Sequence, residues 1–218
     1  MVLTASQAPR PSRARFLAAP VVAAVTVLGV WIFGGVLSNS FRVSMALTAA
    51  WFVVAGAAAL AISWRSRPLR WVVLPSFVVT AIAVGGFLAW ATFHDKVVHE
   101  QVARAGTGGA SSLGRGTFVS GEHETRGDAA IVRLANRMRY LTITNLRSSS
   151  GPDLRVYLTA ASVGSASSAG DHVDLGGLKG NIGDEQYRLP SDLDVGRYRY
   201  VVIWCRAFSV EFGEAALH

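Results

Sequence analysis

Cys205 is the only cysteine in a chain of 218 residues, and five histidines, His94, His99, His123, His172 and His218, complete its set of soft or nitrogen ligands. A lone thiol cannot form an internal disulfide. In an oxidising compartment it is buried, paired with another chain or bound to something. Alternation along the preceding residues puts Cys205 on the same side as Val201 and Ile203, so one reading is a small hydrophobe in a sheet core. The other is a redox thiol or a ligand. Arg206 is next in sequence and could lower a thiol pKa, but adjacent strand residues face opposite sides. His123 is the best candidate co-ligand, since a His/Cys pair can hold haem iron or a metal. Its bland reading is a turn histidine bonded to backbone. His94 and His99 are poorly spaced for one helix face, and His172 falls in a polar, solvated loop.

Several chemistries are poorly matched. There is no C-x-x-C-H for covalent haem and no C-x-x-C for dithiol exchange. Gly151-Pro152-Asp153 and the glycine-rich run 175–183 lack the strand–loop–helix setting and the lysine-plus-hydroxyl ending of a P-loop. They read as turns, with Asp153 bridging locally. Asp184, Glu185, Asp192 and Asp194 read as solvated turn acids, and no hydrolase constellation stands out.

The elements that must position these residues differ sharply between the two halves. Residues 1–94 contain seven arginines and no lysine, aspartate or glutamate; the rest balances fourteen basic against fourteen acidic groups. The net charge of +7 therefore belongs to the hydrophobic half. A nucleic-acid reader would carry its basic patch on the folded domain, so that partner is rejected.

Residues 16–37, 43–63 and 71–93 are three runs without an ionisable group. Each exceeds the roughly 20 residues that cross about 30 Å of hydrocarbon. Arg10, Arg13, Arg15, Arg65, Arg67 and Arg70 flank one side and only Arg42 the other, which places the N-terminus in the cytoplasm. Three crossings deliver residue 94 to the outside. The expected location is a multi-pass cell-membrane protein with an extracytoplasmic C-terminal domain and the lipid bilayer as a partner. The first span is longer than a signal-peptide core, and its cleavage would leave that location unchanged. Trp64, Trp71 and Trp90 lie at interfacial depths, and small residues such as Gly34-Gly35 and Gly85-Gly86 permit close helix approach. Without intramembrane acids or histidines, the helices are expected to anchor or assemble rather than to transport or ligate haem.

Residues 94–113 read as a juxtamembrane linker, helical to about Arg104 and then flexible. Residues 114–218 read as short strands between turns: 117–120, 129–134, 140–145, 153–158, 198–205 and 208–212. The run 175–183 is too glycine-rich for a long strand, and 162–171 forms a polar loop. The fold class is thus a three-span membrane α-helical anchor over residues 1–93 plus an all-β domain, an antiparallel sandwich or barrel.

Four blocks then accumulate in order: Gly116-Thr117-Phe118 with Gly121-Glu122-His123 and Gly127; Leu141 to Asn145 followed by Gly151 to Leu158; Leu175 to Asn181 with Gly183, Tyr187 and Pro190; and Val201 to Gly213, ending Ala215 to Leu217. Over residues about 114–217 this resembles the DM-thirteen domain, a family found alone in bacteria and beside DOMON and cytochrome-b-type membrane domains in animals and plants. The resemblance implies an electron-transfer association, a membrane redox protein as partner, and a functional cysteine matched by Cys205, redox-active or holding a group such as haem. It says nothing about residues 1–100. The rival reading is a non-catalytic module that binds a protein or envelope component, with Cys205 in the core and the glycine loops as contact surface.

Overall fold

The computed structural model describes residues 13–38, 41–164 and 168–218; Arg10, Asn39, Ser40 and the middle of the polar loop 162–171 lie outside the described residues. Three long apolar helices come first: α1 (Arg13–Trp31), α2 (Phe41–Arg65) and α3 (Arg70–Phe93). All three are long and apolar enough to cross a membrane. A π-helical turn, Ile32–Val36, closes α1. Pro20 and Pro75 lie inside α1 and α3, past the first turn, so each removes one intrahelical N–H donor.

The bundle is packed around small and polar groups. Thr26, Ser44, Thr48 and Ser63 are buried, whereas Val21, Leu28, Val53 and Ile82 are exposed. Thr26 returns its hydroxyl to the Val22 carbonyl, and the Trp51 indole donates to the Thr26 carbonyl at 3.2 Å. Gly29 is required there, because a Cβ would overlap the Trp51 ring. Trp64 and Trp71 stand 79% and 76% exposed at one end, with Trp31 and Trp90 exposed toward the other. That is the distribution expected of amphipathic indoles at two membrane surfaces.

Among the described residues ten strands follow, in two five-stranded sheets. In chain order they are β1 (Val97–His99), β2 (Ser111–Thr117), β3 (Val119–Ser120), β4 (Thr125–Arg133), β5 (Arg139–Ser148), β6 (Leu154–Thr159), β7 (His172–Gly177), β8 (Ile182–Arg188), β9 (Tyr200–Cys205) and β10 (Val210–Ala216). One sheet has the order β1-β8-β5-β4-β2 and the other β3-β10-β9-β6-β7. Every pairing is antiparallel except β1 with β8. The two inner faces meet in one cluster that includes Ile131, Leu141, Ile143, Val156, Leu158, Val201, Ile203 and Phe212. This is the helical-plus-sandwich class that the period-2 alternation implied.

Three local expectations are corrected. Residues 97–99 are not helical: α3 ends at Phe93 and β1 adds to the edge of β8 in parallel register, Val97 opposite Ile182. The segment after α3 is tied to the sheet, with the Lys96 N–H donating to Asn181 Oδ1 at 2.7 Å and the Ala103 N–H to Gln186 Oε1 at 3.0 Å. Such pairing depends on a strand far away in sequence, which local helix propensity does not register. The glycine-rich run is not merely a turn; it forms the end of β7, a short loop, and the start of β8. Gly183, at φ +113°, lies so close to the Val98 carbonyl that no Cβ would fit, and this is why glycine serves where β1 joins. Finally, Glu185 is no solvated turn acid. It is 1% exposed inside β8.

Candidate functional site

Cys205 ends β9, in which every residue but Tyr200 is buried. Its neighbours across the ladders are Val210 on β10 and Leu154 on β6. Alternation divides the strand as expected. Val201, Ile203 and Cys205 face the inter-sheet core, while Val202 and Trp204 face a second cluster with Tyr157, Val163 and Ala169 on the outside of the sheet. Residues of the polar loop thus cover what would otherwise be a bare apolar face.

The thiol is 0% exposed, and burial pushes its pKa up to about 11. Backbone N–H groups of Phe208, Asp153 and Ala207 act in the opposite direction without reversing the shift. Burial thus favours the protonated thiol and shields it from solvent. Arg206 does not assist: its guanidinium lies 2.7 Å from Asp153 Oδ2, on the exposed side. The loop is closed by the Arg206 N–H donating to the Asp153 carbonyl at 2.9 Å.

The loop after Cys205 rests on the helix bundle. Ser209, at φ +50°, donates its hydroxyl to the Gly35 carbonyl at 2.9 Å. A Cβ on Gly35 would stand 2.7 Å from the Ala207 carbonyl oxygen, and one on Gly34 would meet the Phe208 ring at 3.4 Å. The Ser150 hydroxyl makes a second tie, to the Thr92 carbonyl at 2.6 Å, and Leu88 of α3 packs against the core cluster. Gly34-Gly35 therefore has a use that its sequence context did not disclose. It admits the Cys205 loop to the end of the bundle. Arg65, Arg67 and Arg70 lie at the opposite end, where α2 turns into α3.

His123 sits in the turn between β3 and β4, held by the Gly121 and Glu122 N–H groups on the Phe212 and Glu211 carbonyls. Its ring stacks on Phe212 with centroids 4.0 Å apart, and burial lowers its pKa, with Glu122 opposing. Phe212 belongs to the same buried cluster as Cys205. The two sequence candidates thus flank one core, with Phe212 as the contact of His123 and backbone amides as the contacts of the thiol. A haem does not fit at Cys205 in this packing, because strands on both sides and Phe208 enclose the sulfur with no exposed surface. Of the remaining histidines, His172 is exposed and stacks on Tyr157 at 4.3 Å, and His94 stacks on Trp90 at 5.0 Å. No group of three or more metal-ligating side chains occurs among the described residues.

Two buried carboxylates escaped the sequence reading. Glu185 accepts from the Lys179 and Gly180 N–H groups at 2.9 and 3.2 Å and from the Tyr187 hydroxyl at 3.0 Å. Burial raises its pKa against these bonds. Lys179 also pairs with Glu100 at 2.7 Å and lies over the Tyr187 ring, so Glu185 and Glu100 together hold the 178–181 loop. Glu211 lies opposite Trp204 on β10, and burial and then the charge of Glu214 raise its pKa to about 7. The available signal was strand alternation. Reading 175–183 as turns and Asp184 and Glu185 as turn acids concealed it for Glu185, and the bulge between Glu211 and Gly213 interrupts it for Glu211.

Residues 117–217 match the family model described as Electron transfer DM13. The match coincides with the resemblance carried by the four blocks and takes in β3 to β10 with the end of β2. β1 and most of β2 precede it, yet they complete one sheet of the sandwich. No curated protein and no solved structure matches the chain. Cys205 and His123 both fall within the matched region, as do the loop 178–181 and its clamp Glu185.

Proposed function

We propose that the chain is a membrane-anchored, extracytoplasmic module of an electron-transfer system. The match of residues 117–217 to an electron-transfer family carries this reading. Three helices able to span a bilayer supply the anchor, and the arginine asymmetry supports an outward-facing domain. A separate membrane redox protein is the partner, Cys205 the residue on which the redox role rests, and His123, stacked on Phe212 of the same core cluster, the co-ligand candidate. Seating of the Cys205 loop on Gly34-Gly35 supports a fixed, membrane-proximal position for that residue.

One observation favours a second reading. A fully enclosed thiol with its pKa near 11 is what a structural core cysteine looks like. In that reading the module binds a protein or envelope component without redox chemistry.

Full-length protein in phospholipid nanodiscs separates the two. A visible absorption band lost in Cys205→Ser, or a thiol whose alkylation in the folded protein follows the redox poise, supports the electron-transfer role. Colourless protein whose thiol reacts only after unfolding overturns it in favour of the structural cysteine. Sidedness is tested separately. An impermeant protease should remove a tag placed after His218 from intact cells, and protection until lysis would overturn the outward orientation.

A further inference from the structure

Between the end of α3 and the β domain lies a cleft of about 350 Å³. One wall is Phe87, Trp90 and His94, with the Trp90 and His94 rings stacked at 5.0 Å and Phe87 to Trp90 at 6.5 Å. The opposite wall is the segment 150–154. That segment is the layer next to the thiol: Leu154 pairs with Cys205 across the ladder, and the Asp153 N–H is among those acting on its sulfur. We propose that this cleft seats the ring headgroup of a membrane-dissolved isoprenoid quinone, with the tail running along α3. The inference rests on the electron-transfer reading and names the small-molecule class that the module meets.

Three features select this occupant. The cleft opens beside the outer turns of a helix apolar enough to span a membrane, so its ligand has a lipid-soluble part. Its volume lies at the small end of ligand sites and matches one substituted ring with the first carbons of a tail. Two of its lining charges are neutralised internally, Lys179 by Glu100 and Asp153 by Arg206, so the Lys96 ammonium is the lining cation available to a ring carbonyl, and competition by an anionic phospholipid is the control that separates the two headgroups. Trp90 is 60% exposed and presents a face for an electron-poor ring to stack on, and Lys96 lines the polar end near where a ring carbonyl would sit.

The test is photolabelling of the full chain in nanodiscs with an azido-benzoquinone bearing a ten-carbon tail. Expected is saturable labelling in residues 87–96 or 150–154, suppressed by excess unlabelled quinone and not by excess short-chain phosphatidylglycerol. Trp90→Ala, which removes the stacking face, and Ala91→Phe, which fills the cleft, should each weaken half-saturation about tenfold, equivalent to about 1.4 kcal/mol. Unsaturable label spread along the spans, equal competition by the phospholipid, or unchanged half-saturation in both variants overturns the quinone seat. Cys205 alkylation and sidedness are read without quinone, so failure here alongside success there rejects the seat alone. Saturable labelling alongside a redox-silent thiol keeps the seat and rejects the electron-transfer role of Cys205.

Discussion

The helix bundle and the β sandwich are packed with opposite polarity. Inside the bundle lie Thr26, Ser44, Thr48 and Ser63, with Val53, Ile82 and other large apolar side chains turned outward. Inside the sandwich lie Ile131, Ile143, Leu158, Ile203 and Phe212. Water drives apolar groups inward in the second case. A hydrocarbon surround offers no such drive, and small residues that allow close approach and local hydrogen bonds hold the helices together instead. This is the pattern expected of a chain that meets two solvents, as the proposed bilayer-spanning helices require, and the seam between the two halves runs beside Cys205.

The sharpest way to break this contrast is to truncate one large apolar residue in each half. Phe212→Ala, at a fully buried site that also supports His123, should cost the domain about 3–5 kcal/mol. Val53→Ala, at a position 72% exposed, should change bundle stability by less than about 0.5 kcal/mol in detergent. Denaturant titration followed by β-sheet circular dichroism and by helix signal checks both. Equal losses would remove the polarity inversion.

A second expectation concerns pH and confines itself to the β domain. The Glu211 carboxyl keeps its proton up to about pH 7 in the folded chain, against an ordinary value of 4.5. Between those values the folded state binds more protons than the unfolded one. Its stabilising contribution is therefore complete below about pH 4.5 and is lost as pH rises toward 7, by up to about 3 kcal/mol. Glu211→Gln should flatten that part of the stability profile and leave the helices unaffected. A slope unchanged in the variant would assign it to another group.

The seam itself is probed by Gly35→Val, whose side chain would press on the Ala207 carbonyl. Lifting of the 206–209 loop should accelerate Cys205 alkylation in folded protein about tenfold, which corresponds to about 1.4 kcal/mol of lost docking. A rate equal to wild type would mean that the loop is held by the domain alone. Within the seam the smallest effect is expected for Arg206→Ala. The ion pair with Asp153 is largely exposed, and its loss should cost no more than about 1 kcal/mol with no change in thiol reactivity.

How much of this was legible depends on which residues carried the signal. The spans are read directly from uncharged length, because 1.5 Å per residue and the thickness of hydrocarbon leave little freedom. The face of β9 that holds Cys205 follows from period-2 alternation, and the family match rests on blocks visible in the linear sequence. β1 was hidden, since Val97–His99 is a strand only because β8, far along the chain, presents an edge to it. Glu185 was hidden for a related reason: a carboxylate next to Asp184 looks solvated until the 178–181 loop folds over it with unsatisfied N–H groups.

By itself, then, the sequence determined composition-level facts: which stretches are apolar enough for a membrane, which strand is buried, and that a single thiol lies in it. Only the tertiary structure decided that this thiol is enclosed and protonated, that His123 reaches Phe212, and that the Cys205 loop rests on Gly34-Gly35 at the end of the bundle. Solvent preference is a property of each segment and is written locally. Enclosure, pKa and docking depend on which distant segments meet, and those meetings exist only once both sheets and all three helices are in place.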